Sequence, residues 1–494
     1  MKTAISPSLE EFIELAKQGN VIPIFADFIA DAETPISAFH KLGRSGHSFL
    51  FESTEKNDVS GRFSFVGTNP RAVIQSDVRE VRLCERGKEQ HLRDTTDPLD
   101  EVRKLLARYQ VVPQPDLSPF CGGAVGFVGY DVISSFERKV PVLPRDQLEL
   151  PEMIFLITGN LLVFDHRLRR LKVIVNAFLA DGPPEQIYAE ATKSIETLIR
   201  TLSQPSSLPS ISPQQHEISP PRSNFERGEF EKLITRAKEY IEAGDIFQVV
   251  LSQRFESAFN GDALDFYRCL RFINPSPYMF CLKFGEDFAL VGSSPEMHVR
   301  LQDKTIEIRP IAGTRPRGST TVEDEKNAAD LLADPKERAE HIMLVDLARN
   351  DIGRVAEIGS VRVTELMNIE HYSHVMHIVS HVTGRLQSGC DGFDVLKATF
   401  PAGTVSGAPK IRAMQIISEL EKTRRGCYAG AVGYFGFDGN ADSCIVLRSA
   451  VLKNNKAYFQ AGAGIVADSD PAREYEESVS KARAMMHALA LAEN

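Results

Sequence analysis

The stretch PEMIFLITGNLLVFDHRLRRLKVIVNAFLA, residues 151–180, holds three short apolar runs: Met153–Ile157, Leu161–Asp165 and Leu171–Ala177. Each is rich in Ile, Leu, Val or Phe, and Gly159-Asn160 and the charged segment His166–Arg170 separate them. Runs this short, bounded by turn residues, read as strands, because a helix that buries one face needs about ten residues or more. Toward the N-terminus the same texture recurs at Phe49–Glu52, Phe63–Val66, Ala72–Gln75, Val81–Cys84 and Ala124–Gly129. Helical pieces interrupt it at Ser8–Gln18, Asp97–Tyr109 and Pro184–Leu202.

Toward the C-terminus, Ser203–Ser223 (SQPSSLPSISPQQHEISPPRS) is rich in Ser and Pro and poor in large apolar residues, so it reads as an exposed linker. It divides an N-terminal region, 1–202, from a second region, 224–494. There Phe230, Leu233, Ile234, Ala237, Tyr240 and Ile241 fall at helical spacing, and Gly244 offers the stop. Strands are expected at Ile246–Phe255, Tyr278–Phe284, Phe288–Gly292, Val299–Leu301, Thr305–Ile308, Val375–Thr383, Ala431–Gly436, Cys444–Leu452 and Ala457–Ala461. Helices are expected at Lys336–Asn350, Ala408–Leu420 and Pro471–Leu491. The class is α+β: large antiparallel sheets packed in a sandwich with flanking helices.

Of 494 residues, 43% are apolar and 25% charged, which supports a packed core under a soluble surface. The net charge of -10 removes the basic footprint of a nucleic-acid binder, so no DNA or RNA partner is expected. The seven cysteines form no Cys-x-x-Cys pair, which argues against a zinc ribbon or disulfide framework and fits a reducing cytosol. No apolar run approaches the ~18 residues that span a bilayer. The opening MKTAISPSLEEFIELAKQG lacks the apolar centre of a signal peptide. A cytoplasmic enzyme without a membrane partner is expected.

Two helices each carry a carboxylate pair at i, i+3: Glu337 with Glu340, and Glu474 with Glu477. Residues three apart share a helix face, and several carboxylates suit a hard divalent cation such as Mg²⁺. The plainer reading of Asp334-Pro335-x-Glu337 is a helix cap with Pro at the first helical position. His371, His374, His377 and His381 cluster in HYSHVMHIVSHVTG. On a strand His374 and His377 face opposite sides, so one functional histidine among structural neighbours fits better than a zinc site. Gly403, Thr404, Ser406 and Gly407 in FPAGTVSGAPK lead into a helix and offer backbone N–H groups to an anion, without the ending of a P-loop. Gly462 and Gly464 in AGAGIV allow close backbone approach to a ligand. Cys427 lacks a nucleophile elbow and reads as core, so no glutaminase domain is evident.

Taken in order, AGDIFQVVLSQRF (243–255), NPSPYMF (274–280), VGSSPE (291–296), RPIAGTRPRG (309–318), EHIMLVDLARND (340–351), YSHVMH (372–377), FPAGTVSGAPKIRAM (400–414), YAGAVGYF (428–435), CIVLRSA (444–450), AGAGIV (461–466) and the ExxxK of Glu477–Lys481 resemble the chorismate-utilising enzymes. The resemblance implies that Glu340 and Glu477 hold Mg²⁺, with Glu337 and Glu474 in support, and that the metal holds the ring carboxylate of chorismate. It implies that Arg448 and Tyr428 contact the enolpyruvyl carboxylate, where a guanidinium fork suits a planar anion. Thr314, Thr404, Gly462 and Gly464 line the same pocket. Glu296 resembles the general acid that helps the C4 hydroxyl leave, which calls for a raised pKa. His377 resembles the histidine of the second step, where the C2 proton is lost and pyruvate is eliminated.

Two positions choose among family members. Members that aminate at C4 resemble this chain but carry a nucleophilic lysine where Ala312 stands, and a methyl group cannot attack. Isochorismate-forming members carry a lysine base where Gln248 stands, and a neutral amide is a poor base. Ammonia addition at C2 and anthranilate as product are therefore expected, with isochorismate as the alternative. The stretch SFLFESTEKNDVSGRFSFVG (48–67) resembles the family's tryptophan feedback motif, with Leu50-Phe51-Glu52-Ser53 and Ser64, and Phe51 where leucine is usual. By that resemblance Glu52 takes the ammonium of L-tryptophan and Ser53 frames it. Pro277, Tyr278, Met279, Tyr434 and Cys444 complete the pocket. A non-catalytic tryptophan-binding protein is the alternative of another class. The missing glutaminase implies a separate glutamine amidotransferase subunit as ammonia source, in a heterotetramer.

Overall fold

The computed structural model describes residues 4–43, 46–54, 61–77, 80–115, 117–144, 148–212, 220–372 and 375–493. Its strands form a thirteen-stranded and a twelve-stranded sheet, and every ladder between strands is antiparallel. The three apolar runs of residues 151–180 form the strands Met153–Ile157, Asn160–Asp165 and Arg170–Phe178. The first joins the twelve-stranded sheet and the other two the thirteen-stranded one, so the turn at Thr158-Gly159 already crosses between sheets.

The faces that meet are apolar. Phe49, Phe127, Ile154, Leu161, Ile174, Phe280, Leu290, Val432 and Val451 form one cluster with members from both sheets. On the far side of the thirteen-stranded sheet, Ile195 and Leu198 of the helix Pro184–Leu202 pack with Phe266 of Ala263–Ile273 and with Met485 and Leu489 of Pro471–Ala492. On the other sheet, Leu99 and Val102 pack with Phe393, Met414 and Ile417 around Phe155 and Phe435. These clusters remove water from both outer faces, which is why the flanking helices are amphipathic.

The segment 203–223 divides the sequence, yet both sheets draw strands from either side of it. Ser48–Glu52 pairs with Tyr278–Phe284, and Gly123–Val128 with Ala431–Gly436. Several elements escaped the sequence reading. The strand Val21–Ile29 contains Pro23, which breaks the expected pattern. The strand Arg362–His371 is mostly exposed and polar, so it shows no alternation. The helices Pro35–Leu42, Ala263–Ile273, Thr321–Ala333 and Gly392–Thr399 were not expected either.

One expectation is corrected in a way that matters for the site. Cys444–Leu452 is not one strand: Ala441–Ile445 belongs to the twelve-stranded sheet and Ser449–Lys453 to the other. The chain changes sheet between them, and Arg448 takes a left-handed φ of 46° there. A continuous apolar run carries no mark of such a crossing.

Candidate active site

A neighbouring segment makes the same crossing as residues 441–453. Phe288–Ser294 lies in one sheet, Met297–Gln302 in the other, and Glu296 stands between them. Gly292 pairs with Ser449 and Met297 with Cys444, so the two crossings run side by side. The Ile445 N–H donates to the Glu296 carbonyl at 3.1 Å, and the Ser293 N–H to the Arg448 carbonyl at 3.0 Å. The seam between sheets thus presents a carboxyl and a guanidinium from adjacent strands.

Burial pushes the Glu296 carboxyl up to about 8, against the opposing pull of a Thr404 hydrogen bond and the Arg448 charge. The Thr404 hydroxyl donates to Glu296 Oε1 at 2.9 Å. Thr404 lies in a short turn, Gly403–Val405, that rests on the helix Pro335–Gly353; a Cβ on Gly403 would stand 2.9 Å from Leu347. Lys410 ties the end of that loop to the same helix, donating to Asp351 Oδ2 at 2.6 Å. The carbonyls of the loop, unlike the N–H groups expected to face an anion, are taken up by a neighbouring strand. The loop serves as a strand edge, with Phe247 N donating to Ala408 O at 2.7 Å and Val250 N to Ser406 O at 2.9 Å.

Arg448 forms no ion pair with a carboxylate among the described residues; its Nη1 reaches Asn274 Oδ1 at 3.4 Å. A part-buried guanidinium with spare donors has the geometry to take a carboxylate in a bidentate pair. Tyr428 is buried nearby in the chain, before the strand Ala431–Gly436, and burial pushes its phenol up to about 12. It packs in the core with Phe400 and Ile445 and lies 5.7 Å from the Arg425 guanidinium.

His377 stands on Val375–Arg385, opposite Thr314 of Ile311–Pro316. The ladder slips between Ala312 and Thr314, where Gly313 adopts φ +68°, and this turns the Gly313 carbonyl onto the imidazole. A carbonyl only accepts, so the Nδ1–H of His377 donates to it at 2.8 Å and Nε2 carries the lone pair. Burial lowers the His377 pKa, partly offset by this hydrogen bond, so the ring is neutral at pH 7. His381 has other neighbours, Thr364 and Glu307, and His371 is exposed. His374 lies outside the described residues.

The carboxylates come from two helices of the same design. Asp334 caps Pro335–Gly353, accepting from Lys336 N and Glu337 N, and Asp470 caps Pro471–Ala492, accepting from Arg473 N. The cap reading of Asp334-Pro335-x-Glu337 holds: the cap sets the helix start, and Glu337 and Glu340 follow from it. Gln248 Nε2 donates to Glu340 Oε1 at 3.0 Å. A Cβ on Gly464 would lie 2.7 Å from that nitrogen, so only glycine lets Gln248 lie across the strand. Lys481 pairs with Glu477 at 2.7 Å and donates to the Gly462 carbonyl at 3.1 Å. Gln248, Glu340, Gly464, Gly462 and Glu477 are thereby linked along one floor.

A family profile described as chorismate binding enzyme matches residues 46–487. The chain is 47% identical to anthranilate synthase component 1 of Aquifex aeolicus, covering 98% of each, and 46% identical to that of Pseudomonas putida, again 98% of each. The crystal structure of anthranilate synthase component I from Streptococcus pneumoniae TIGR4 superposes with a TM-score of 0.77 at 38% identity, over 93% of this chain and 98% of the other. The chain belongs to the chorismate binding enzyme family. A menaquinone-specific isochorismate synthase from Escherichia coli, 20% identical with a TM-score of 0.72, shares the fold.

The family resemblance asks for a divalent cation, and the donor set has the right chemistry: four oxygen-ligand carboxylates. Burial raises the pKa of Glu340, with the neighbouring Glu337 charge adding to it, and burial with the Glu477 charge does the same for Glu474. Crowded like charges of this kind are relieved by a cation. As the side chains stand, no three His, Cys, Asp or Glu converge on one point among the described residues. Glu337 is turned onto Arg315 at 2.9 Å and Glu477 onto Lys481. No local pattern in the sequence marks Arg315 for this role; its guanidinium joins Glu337 to the cap residue Asp334.

A second feature of this family member is a cavity of about 350 Å³ between the sheets. Glu52, Ser53, Pro277, Tyr278, Met279, Tyr434 and Cys444 all line it, with Phe51, Phe63 and Phe65. Met279 lies opposite Glu52 in the ladder. Glu52 has partners that the sequence did not reveal: the Tyr267 hydroxyl donates to Oε2 at 2.5 Å and Arg271 approaches it at 3.3 Å. The Ser53 hydroxyl is buried with no hydrogen-bond partner among the described residues. Ser64 is buried and bonded to His166 at 2.7 Å. Arg300 and Asp442, also unexpected, form an ion pair at 2.9 Å in the wall, with the Tyr278 hydroxyl bonded to Asp442.

Proposed function

We propose that this chain converts chorismate and ammonia to anthranilate and pyruvate, the committed chemistry of tryptophan biosynthesis, as the large component beside a separate glutamine amidotransferase. The observation that carries the reading is the seam: Glu296, protonated near neutrality, beside the Arg448 guanidinium. In the first stage ammonia forms a bond at C2 of chorismate. The C4–oxygen bond breaks, and Glu296 gives its proton so that the hydroxyl leaves as water. The product is 2-amino-2-deoxyisochorismate. Thr404 holds Glu296 Oε1 and aims the other oxygen. Arg448 with Tyr428 takes the enolpyruvyl carboxylate, and Thr314, Gly462 and Gly464 line the site. In the second stage His377 Nε2 takes the C2 proton, the C3–oxygen bond breaks, the ring aromatises, and the enolpyruvate leaves to become pyruvate.

Glu340 and Glu477, supported by Glu337 and Glu474, would hold Mg²⁺, which supplies positive charge for the ring carboxylate of the substrate. Gln248 donates to Glu340 rather than accepting a proton, so it does not activate water. Ala312 offers no nucleophile. Both features favour ammonia at C2 over isochorismate formation or C4 amination. A heterotetramer with the amidotransferase in the cytoplasm is the expected setting; among the described residues all seven cysteines are free and no helix is long and apolar enough to cross a membrane.

We further propose that the 350 Å³ cavity binds L-tryptophan as feedback inhibitor. Its aromatic walls suit an indole, Glu52 Oε1 suits the ammonium, and the unpartnered Ser53 hydroxyl suits a polar group of the ligand. The test is direct: supply ammonium, chorismate and Mg²⁺, follow anthranilate fluorescence, and repeat with tryptophan. Isochorismate or 4-amino-4-deoxychorismate as the main product would overturn the activity. A chain that binds tryptophan by calorimetry but turns over no chorismate would favour the regulatory-protein alternative.

A further inference from the structure

Glu296, His377 and Arg448 do not line the cavity, but side chains beside them do. Tyr372 is one of them. It lies at the bend between the strands Arg362–His371 and Val375–Arg385, with its N–H donating to the Val375 carbonyl at 2.8 Å. Tyr372 lines the cavity. Its ring meets the His377 imidazole edge-on, with centroids 5.4 Å apart and planes at 66°. Its hydroxyl donates to Glu370 Oε2 at 3.1 Å, and Glu370 is the cross-strand partner of His377. Arg309, another residue of the cavity wall, is bonded to the same Glu370.

Pro295 and Met297, on either side of Glu296, also line the cavity. Their backbone is held by the ladder at Met297–Cys444 and by the Ile445 N–H on the Glu296 carbonyl, so it has little room to shift. Tyr372 instead reaches the catalytic side with its side chain, through the ring against His377 and the hydroxyl on Glu370.

We infer that Tyr372 is the positioning residue through which an occupant of the cavity acts on His377: its ring sets the imidazole against the Gly313 carbonyl, and a ligand touching that ring displaces it. This rests on the reading of the cavity as a tryptophan site. An effector changes a distant equilibrium only through contacts that differ between two states, and Tyr372 touches both sites directly. The ring, rather than the hydroxyl, carries the contact with His377.

The experiment compares wild type, Tyr372→Phe, Tyr372→Leu and Tyr372→Met, measuring tryptophan binding by calorimetry and inhibition of ammonia-dependent anthranilate formation. Each rate is referred to the same variant's uninhibited rate. Tyr372→Phe keeps the ring and is expected to keep wild-type inhibition. Tyr372→Leu is expected to bind tryptophan within about threefold of wild type, yet to need at least about tenfold more tryptophan for half-inhibition, the scale of an allosteric coupling. Tyr372→Met repeats the test at nearly conserved volume if the leucine variant does not fold. Retained binding with wild-type inhibition in the ring-less variants overturns the inference. Loss of binding in step with loss of inhibition also overturns it, since Tyr372 would then be only a wall of the pocket. A wild-type chain that binds no tryptophan overturns the cavity reading itself, a result visible before any variant is made.

Discussion

Replacing Glu296 by glutamine tests the seam most sharply. Glutamine has the same shape and can still accept from Thr404, but it has no acidic proton to give. With its pKa at about 8, roughly nine-tenths of Glu296 is protonated at pH 7. A solvated glutamate, at about 4.3, would be protonated in roughly one molecule in 500 at that pH. Burial therefore raises the supply of acid several-hundredfold, and a positioned general acid is worth about 10²–10⁴ in rate, or about 2.7–5.5 kcal/mol. The expected result for Glu296→Gln is a fall of that size in amination with chorismate binding retained. Wild-type kcat/KM should fall as pH rises through about 8, because the acid form is lost there, and that basic limb should vanish in the variant. Thr404→Val removes a donor that stabilises the carboxylate, so it should move the basic limb to higher pH. The assay is stopped-flow or steady-state anthranilate fluorescence from ammonium and chorismate between pH 6 and pH 9.5. Glu296→Gln activity within about tenfold of wild type, or an unchanged basic limb, would refute the reasoning.

Glu340→Gln should raise the Mg²⁺ concentration for half-maximal activity by at least about tenfold, read from a metal titration at fixed chorismate; an unchanged titration would remove Glu340 from the metal site. His377→Ala should accumulate 2-amino-2-deoxyisochorismate, seen by chromatography, and wild-type pyruvate release would argue against its role. Ser53→Ala should weaken tryptophan inhibition about two- to twelvefold, the value of one hydrogen bond, while uninhibited turnover persists; unaltered sensitivity would dismiss the pocket reading at that residue. Arg425→Met should destabilise the fold by about 3–5 kcal/mol in urea unfolding, because it leaves the buried Glu421, which keeps only its Ser252 hydrogen bonds, without its cationic partner at 2.6 Å; a loss below about 1 kcal/mol would show that Glu421 is neutralised or resolvated.

Much of the architecture was legible. Met153–Ile157, Tyr278–Phe284, Thr305–Ile308 and Ala431–Gly436 appear with the bounds expected from their composition. Met153–Ile157 and most of Tyr278–Phe284 are buried on both faces and read as short apolar runs, whereas Thr305–Ile308 shows in its alternation of Thr, Ile, Glu and Ile. Exposed strands such as Arg362–His371 carry no such signal, and Pro23 hid another. The site was legible only as motifs. The sequence could name Glu52 and Ser53, but not the Tyr267 hydroxyl, 215 residues further on, that occupies one Glu52 oxygen.

By itself the sequence determined the class of fold, the helix starts at Asp334 and Asp470, and the identity of the groups available for chemistry. Those are local matters, set by side-chain periodicity, capping and the presence or absence of a lysine at 248 or 312. The tertiary structure decided what those groups are. Two strands crossing side by side between sheets place Glu296 against Arg448 and Thr404, and the resulting loss of water makes a carboxyl into an acid at neutral pH. A slip in register at Gly313 selects the tautomer of His377. Desolvation and hydrogen-bond geometry depend on atoms far apart in the chain, so no local pattern can encode them where the residue itself stands.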